Sequence, residues 1–231
     1  MIEFNHLLNL ESPYIIKLLG SCLIGSRGTF HYWVEFMDRG EFHPSAYHRE
    51  SWHRRLHLAK QLVAIMRYLE DSPIGGVLMM DFKTSQFLVN SNFTVKLSDL
   101  DTIRVVPVGD GLDRGKPCKS DSDCATYAWK TPEWKCVPLP PAAPSTPRQD
   151  PPLSLSKPSS ALDNNSTLPT HGCKGYSTLS NMFHTCKIFL RSLLSSPPPD
   201  NMSLLQELLS RCSEAEISAS DALILLNRMS S

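Results

Sequence analysis

Between Trp52 and Leu69 the apolar residues Trp52, Leu56, Ala59, Leu62, Val63, Met66 and Leu69 recur at helical spacing, with Arg54, Arg55 and Lys60 off that face. This is the period of a helix that buries one side, and Ser51 stands where a capping hydroxyl is favoured. Residues 2–10 (IEFNHLLNL) place Ile2, Leu7, Leu8 and Leu10 so that a shorter helix buries a face. Pro13 ends it, because proline disfavours helix in the residue before it. Tyr14–Leu23 and Phe30–Met37 are rich in Ile, Leu, Phe, Trp and Val and predict two strands joined by a turn over 25–28.

After the breaker Asp71-Ser72-Pro73 and the Gly75-Gly76 pair comes GVLMMDFKTSQFLVNSNFTVKLSDLD, residues 76–101. Its apolar runs Val77–Met80 and Phe87–Val89, with Thr94–Leu97, predict a hairpin of buried strands whose ends carry Asp81, Lys83 and Asp99. An unpaired charge beside buried strands is costly, so these carboxylates stand out. Residues 137–171 hold nine of the chain's 18 prolines with little apolar periodicity, which predicts a disordered insert. Helical patterning returns over 178–194, 202–212 and 220–229, with Ser218 or Ser220 as a cap and Leu223, Leu225 and Leu226 inward. No internal repeat occurs.

At 231 residues the chain can bury a sizeable core. Its formal net charge of zero gives no reason to expect nucleic acid or an anionic membrane as partner. No apolar run approaches the length of a membrane span, and no signal peptide is visible. Seven cysteines pull towards an oxidising compartment, since Cys118, Cys124, Cys136 and Cys173 fall in one loop-like region. Asn-x-Ser/Thr acceptor sites at Asn92, Asn164, Asn165 and Asn201 lean the same way. Disulfides, free thiols and zinc all remain open for those cysteines, although no C-x-x-C pair occurs. An odd count leaves one thiol over. The histidines, including His53 and His57 four apart on the long helix, form no metal-ligand set.

A hairpin brings its ends together, so Asp81, Gln86 and Asp99 are expected to converge. Carboxylate and amide oxygens suit Mg²⁺, and a further carboxylate free of metal can accept a hydroxyl proton. Asp81-x-Lys83-x-x-Gln86, followed eighteen residues later by Asp99, matches the spacing of the protein-kinase catalytic loop and its metal-binding D-F-G. The chain resembles the protein kinases, and within them the secreted vertebrate lonesome kinase group, also called the protein kinase domain containing, cytoplasmic family. SPIGGVLMMDFKTSQFLV, KLSDLD and the Cys118–Cys124 spacing carry that narrower likeness.

The resemblance implies an α+β, protein-kinase-like fold with a partial N-lobe, one helix plus two to three strands, on a mainly helical C-lobe. Residues 1–37 would form the partial N-lobe and hinge, and 38–136 the C-lobe with its catalytic and metal loops. The insert spans 137–171, and 172–231 supply the last C-lobe helices. Asp81 is then the base and Lys83 its phosphate-steadying neighbour, unless Lys83 is merely exposed. Gln86 and Asp99 hold Mg²⁺, with Asp101 either a second ligand or a turn cap. Glu3 stands where a lysine-pairing glutamate lies, Val34, Glu35, Phe36 and Met37 match the gatekeeper and adenine-binding hinge, and Thr131-Pro132-Glu133 resembles the segment that closes the activation loop.

The implied cofactors are ATP and Mg²⁺. The implied activity is tyrosine phosphorylation of secretory-pathway or extracellular proteins, in the Golgi lumen or outside the cell. Met79 and Met80 replace the usual histidine and arginine. No glycine-rich loop and no upstream lysine precede Glu3, which implies an N-terminally truncated member with impaired catalysis. The rival reading is a catalytically dead remnant that binds proteins, the proline-rich insert offering polyproline-type ligands.

Overall fold

The computed structural model describes residues 2–24, 29–106, 114, 116–124, 135–139 and 171–230. The chain runs α1 (Ile2–Asn9), β1 (Leu18–Ile24), β2 (Thr29–Val34), α2 (Trp52–Glu70), β3 (Gly76–Met79), β4 (Phe87–Val89), β5 (Val95–Leu97) and β6 (Ile103–Val106). Then follow β7 (Cys136–Pro138), β8 (His171–Cys173), α3 (Leu179–Thr185), α4 (Arg191–Leu193), α5 (Met202–Ser213) and α6 (Ala219–Arg228). A π-helical turn, Cys186–Leu190, joins α3 to α4, so the helix expected over 178–194 is present but widened in its middle.

The long helix α2 is the centre of the molecule. Ser51 caps it by accepting from the Arg54 amide at 3.3 Å. Leu58 and Ile65 are as fully buried as the expected face, so α2 is packed nearly all round. Arg55 corrects the polar-face assignment. It is buried, and its guanidinium donates to the carbonyls of Leu193 and Ser195, satisfying the chain end of α4. One hydrophobic cluster runs from Leu7 of α1 and the following Leu10 through α2 to Leu225 and Leu226 of α6. Ser218 is the α6 cap, accepting from the Asp221 amide at 3.1 Å. Glu70, at the end of α2, reinforces it by accepting from the Ala219 amide, and burial pushes its carboxyl up to about 7.

The strands pair differently from the single hairpin expected. β4 and β5 do form a hairpin, with Phe87 opposite Leu97. β3, however, pairs antiparallel with β6, Val77 facing Val105. The reason is the loop between β3 and β4: it dives back into the core at Phe82, so β3 and β4 are not collinear and cannot share one partner. Gly75 makes the turn into β3 with φ +104, where a Cβ would lie 3.1 Å from Val105 Cγ1.

The first predicted strand is also split between two partners. Tyr14 to Ile16 bond to Leu97 of β5, whereas β1 pairs with β2. The second predicted strand ends at Val34, short of Met37. The turn over 25–28 lies outside the described residues. The insert boundaries move as well. Val137 and Pro138 belong to β7 and pair with Gly172 and His171 of β8, so both roots of the insert are sheet. Its interior, 140–170, lies outside the described residues, as do Thr131, Pro132 and Glu133. Six of the cysteines are bonded, Cys118–Cys136, Cys124–Cys173 and Cys186–Cys212, and Cys22 is the leftover thiol. No helix among the described residues is long and apolar enough to cross a membrane.

Candidate active site

Alternation builds the central loop. Phe82 is fully buried, its ring 5.5 Å from Phe87 and 6.0 Å from Phe189, and 5.5 Å from the His184 imidazole. Burial holds His184 neutral, its value pushed down to about 4. With Phe82 driven inward, its neighbours Asp81 and Lys83 are turned to the surface, where they form an ion pair. The hydrogen bond to Asp81 holds the Lys83 ammonium above its usual value, helped by the negative charges of Asp81, Asp99 and Asp101.

The strand leading into Asp81 is clamped from behind. Asn181 of α3 is fully buried; its amide oxygen accepts from the Met79 amide at 3.0 Å and its amide nitrogen donates to the Val77 carbonyl at 2.8 Å. One side chain thus completes two backbone groups of β3, and no local pattern announces it. Its only trace in the sequence is a polar residue within an apolar helical stretch.

Gln86 is buried and its side-chain oxygen accepts from the Lys83 amide at 3.3 Å. Its carbonyl accepts from the Ser98 amide at 2.8 Å and from the Ser98 hydroxyl at 3.1 Å. That contact places the Asp81 loop directly beside Asp99. Asp99 is held above its usual value, first by burial and then by a hydrogen bond with Asp101. The Asp101 amide donates back to Asp99 at 3.3 Å, closing the turn. Asp81, Lys83, Asp99 and Asp101 therefore share one charged neighbourhood.

Glu3 joins it from α1. Its carboxylate accepts from the Tyr32 hydroxyl, and burial together with that bond pushes the phenol up to about 12. His6, one turn on, bonds through Nδ1 to the Leu100 carbonyl at 2.7 Å. α1 is thus tied both to β2 and to the Asp99–Asp101 loop, and neither Tyr32 nor His6 was singled out by the sequence. Both were hidden because a tyrosine in a strand and a histidine on a helix are ordinary residues until the fold sets them opposite a carboxylate and a carbonyl.

The hinge residues stand apart. Val34 and Phe36 are exposed, Phe36 to 86 %, while Met37 is in the core. Glu35 is engaged elsewhere: it pairs with Lys96 and accepts from the Lys17 amide at 2.7 Å.

The donor set fits a divalent cation at Asp99 and Asp101. Asp99 and Asp101 are two carboxylates set side by side, Asp99 raised first by burial and then by its hydrogen bond with Asp101, so a bound cation would relieve the crowding of negative charge. Gln86 fits less directly, because its oxygen already has a partner.

The family model for the protein-kinase domain of FAM69 matches residues 5–131, more than half of the chain. The chain belongs to this family. The FAM69-type kinase domain here is an α+β, kinase-like fold of helices and small sheets, as the resemblance implied. It is 30% identical over 137 residues to the serine/threonine-protein kinase PBL35 of Arabidopsis thaliana, covering 58% of this chain and 26% of the relative. It is 30% identical over 140 residues to the receptor-like cytoplasmic kinase 176 of Oryza sativa subsp. japonica, covering 58% and 33%. It is also 33% identical over 110 residues to the protein O-mannose kinase of Gallus gallus, covering 42% and 30%. The chain therefore spans between about a quarter and a third of these curated relatives.

Proposed function

We propose that this domain transfers the γ-phosphoryl group of ATP to a hydroxyl group of a protein in the secretory pathway. The observation that carries the reading is the Asp81–Lys83 pair, turned outward by the buried Phe82 and set beside Asp99 through the Gln86–Ser98 bonds. Asp81 accepts the proton of the acceptor hydroxyl, and Lys83 holds a phosphoryl oxygen as a point charge. Asp99, with Asp101 and Gln86 beside it, would hold Mg²⁺, which supplies charge neutralisation for the phosphates. Glu3 and the 34–37 segment would border the nucleotide.

Two neighbouring bridges and a third between Cys186 and Cys212 support an oxidising compartment such as the Golgi lumen or the cell exterior. The acceptor implied by the resemblance is tyrosine, whereas the relatives' names include serine/threonine kinases and an O-mannose kinase. Phosphorylation of tyrosine, serine/threonine and O-mannosyl acceptors by the wild-type domain and by Asp81→Asn tests both points. The substitution is expected to lower turnover about 10²–10⁴-fold on the true acceptor class. Equal rates for the two proteins on every acceptor would reject the proposal.

One observation favours a second reading, a nucleotide-independent binding module that presents the proline-rich insert to other proteins. Glu3 is satisfied by Tyr32 instead of by a cation. Thermal unfolding with and without Mg-ATP separates the two: stabilisation supports the kinase, and an unchanged midpoint supports the module.

A further inference from the structure

The bridges Cys118–Cys136 and Cys124–Cys173 are neighbours, and the sulfurs of Cys118, Cys124 and Cys173 lie within 4.8 Å of one another although they belong to different bridges. The backbone gathers them. β7 sets Cys136 opposite Cys173 of β8. The segment 116–118 runs along the other edge of β8, with the Cys173 amide donating to Lys116 at 2.9 Å and the Cys118 amide to His171 at 3.3 Å. Burial divides the two bridges. Cys124 and Cys173 are 2 % and 3 % exposed, while Cys118 and Cys136 are only half-buried.

The buried bridge also touches the strand that leads to Asp81. The Tyr176 hydroxyl donates to the Cys124 carbonyl at 3.1 Å, and the Tyr176 ring packs with Leu78 of β3 and Val106 of β6. The bridge thus joins the turn at 121–124 to β8, beside the Tyr176 ring that packs against β3.

We propose that these four cysteines form a thiol-exchange site whose substrate is a dithiol, entering at the exposed bridge and acting through it on the buried one. A thiolate of the dithiol attacks the Cys136 sulfur, forming a mixed disulfide and releasing Cys118 as a thiolate. Cys118, already in contact range, attacks the Cys173 sulfur, and Cys124 leaves as a thiolate that takes a proton from water. The new Cys118–Cys173 bridge joins two segments that are already hydrogen-bonded neighbours. The second thiol of the reagent then displaces Cys136, which is released as a thiol. The dithiol has lost two electrons and closed to its own disulfide. The protein has gained them, exchanging two bridges for one bridge and two thiols. An external thiol cannot reach Cys124 or Cys173 directly, so the order of opening follows from their burial.

The test uses the full chain purified without reductant, graded dithiothreitol, rapid alkylation and non-reducing peptide mapping. The expected result is a Cys118–Cys173 linked peptide, with Cys124 and Cys136 alkylated, while Cys186–Cys212 stays joined. In the double variant Cys118→Ser/Cys136→Ser the buried Cys124–Cys173 bridge is expected to need about tenfold more dithiothreitol to open, because both thiols of the exposed bridge are gone and no internal nucleophile remains beside it. Alkylation of Cys118 together with Cys136, with Cys124–Cys173 intact and no Cys118–Cys173 peptide, overturns the proposal. The wild-type map decides the matter by itself if the double variant does not fold.

Discussion

The Asp81 loop and the β1–β2 hairpin are both short, apolar and joined to the same core, yet they are built in opposite ways. Around Asp81 the chain is anchored at several points: Phe82 in the core, Gln86 on the Lys83 amide, and the strand before them on Asn181. In the hairpin, Leu23 is 71 % exposed and Trp33 52 %, although the backbone ladder from Leu18 to Ile24 is nearly complete. Regular backbone pairing therefore does not mark where a segment is fixed. Side-chain burial does, and the exposed charges at 81–83 owe their placement to it. The hairpin is tied to α1 by the Tyr32–Glu3 bond and by the Phe30 ring, 4.7 Å from that of Phe4.

The contrast can be broken most forcefully at Phe82. Phe82→Ala is expected to cost about 3–5 kcal/mol in denaturant unfolding, because a fully buried ring leaves a cavity. A loss no larger than that of a surface substitution would show that the loop is not held from inside. Asn181→Ala comes next: it strands the Met79 amide and the Val77 carbonyl, at about 1–3 kcal/mol for each buried group. Asn181→Asp keeps the acceptor for Met79 but sets a buried carboxylate against the Val77 carbonyl, and is expected to cost at least as much as Asn181→Ala.

A third, smaller effect depends on pH and tests the far end of α2. Glu70 has a carboxyl raised from 4.5 to about 7 by burial, so folding favours its protonated form. Its contribution to stability is complete below about pH 4.5 and is lost as pH rises through about 7. Glu70→Gln is expected to flatten that part of the stability–pH profile, measured by urea unfolding from pH 4 upward; an unchanged slope would remove Glu70 as its source. The smallest effect belongs to the hairpin. Leu23→Ser is expected to shift unfolding by no more than about 0.5 kcal/mol, and a larger loss would mean that the exposed face of β1 is covered in solution.

Much of the site could be read along the chain because its spacing is local. Asp81, Lys83, Gln86 and the turn at Asp99–Asp101 lie within one stretch of apolar runs, and alternation across Phe82 decides which side chains face out. The long helix was equally legible, since a 3.6-residue period needs no partner to be seen. Pairing was not. Whether β3 joins β5 or β6, and whether Tyr14–Ile16 joins β2 or β5, depends on where Phe82 and Leu97 are drawn by the core.

Period and punctuation along the chain thus established the helices, the charged turns and the spacing of Asp81, Lys83 and Gln86, all of which depend on residues within a few positions of one another. Packing alone decided the rest. It buried Arg55 against Leu193 and Ser195, brought Asn181 to β3 across about a hundred residues, set Tyr32 on Glu3, and sorted six cysteines into three bridges. Buried polar groups must find partners wherever the core puts them, and distance along the chain carries no record of that choice.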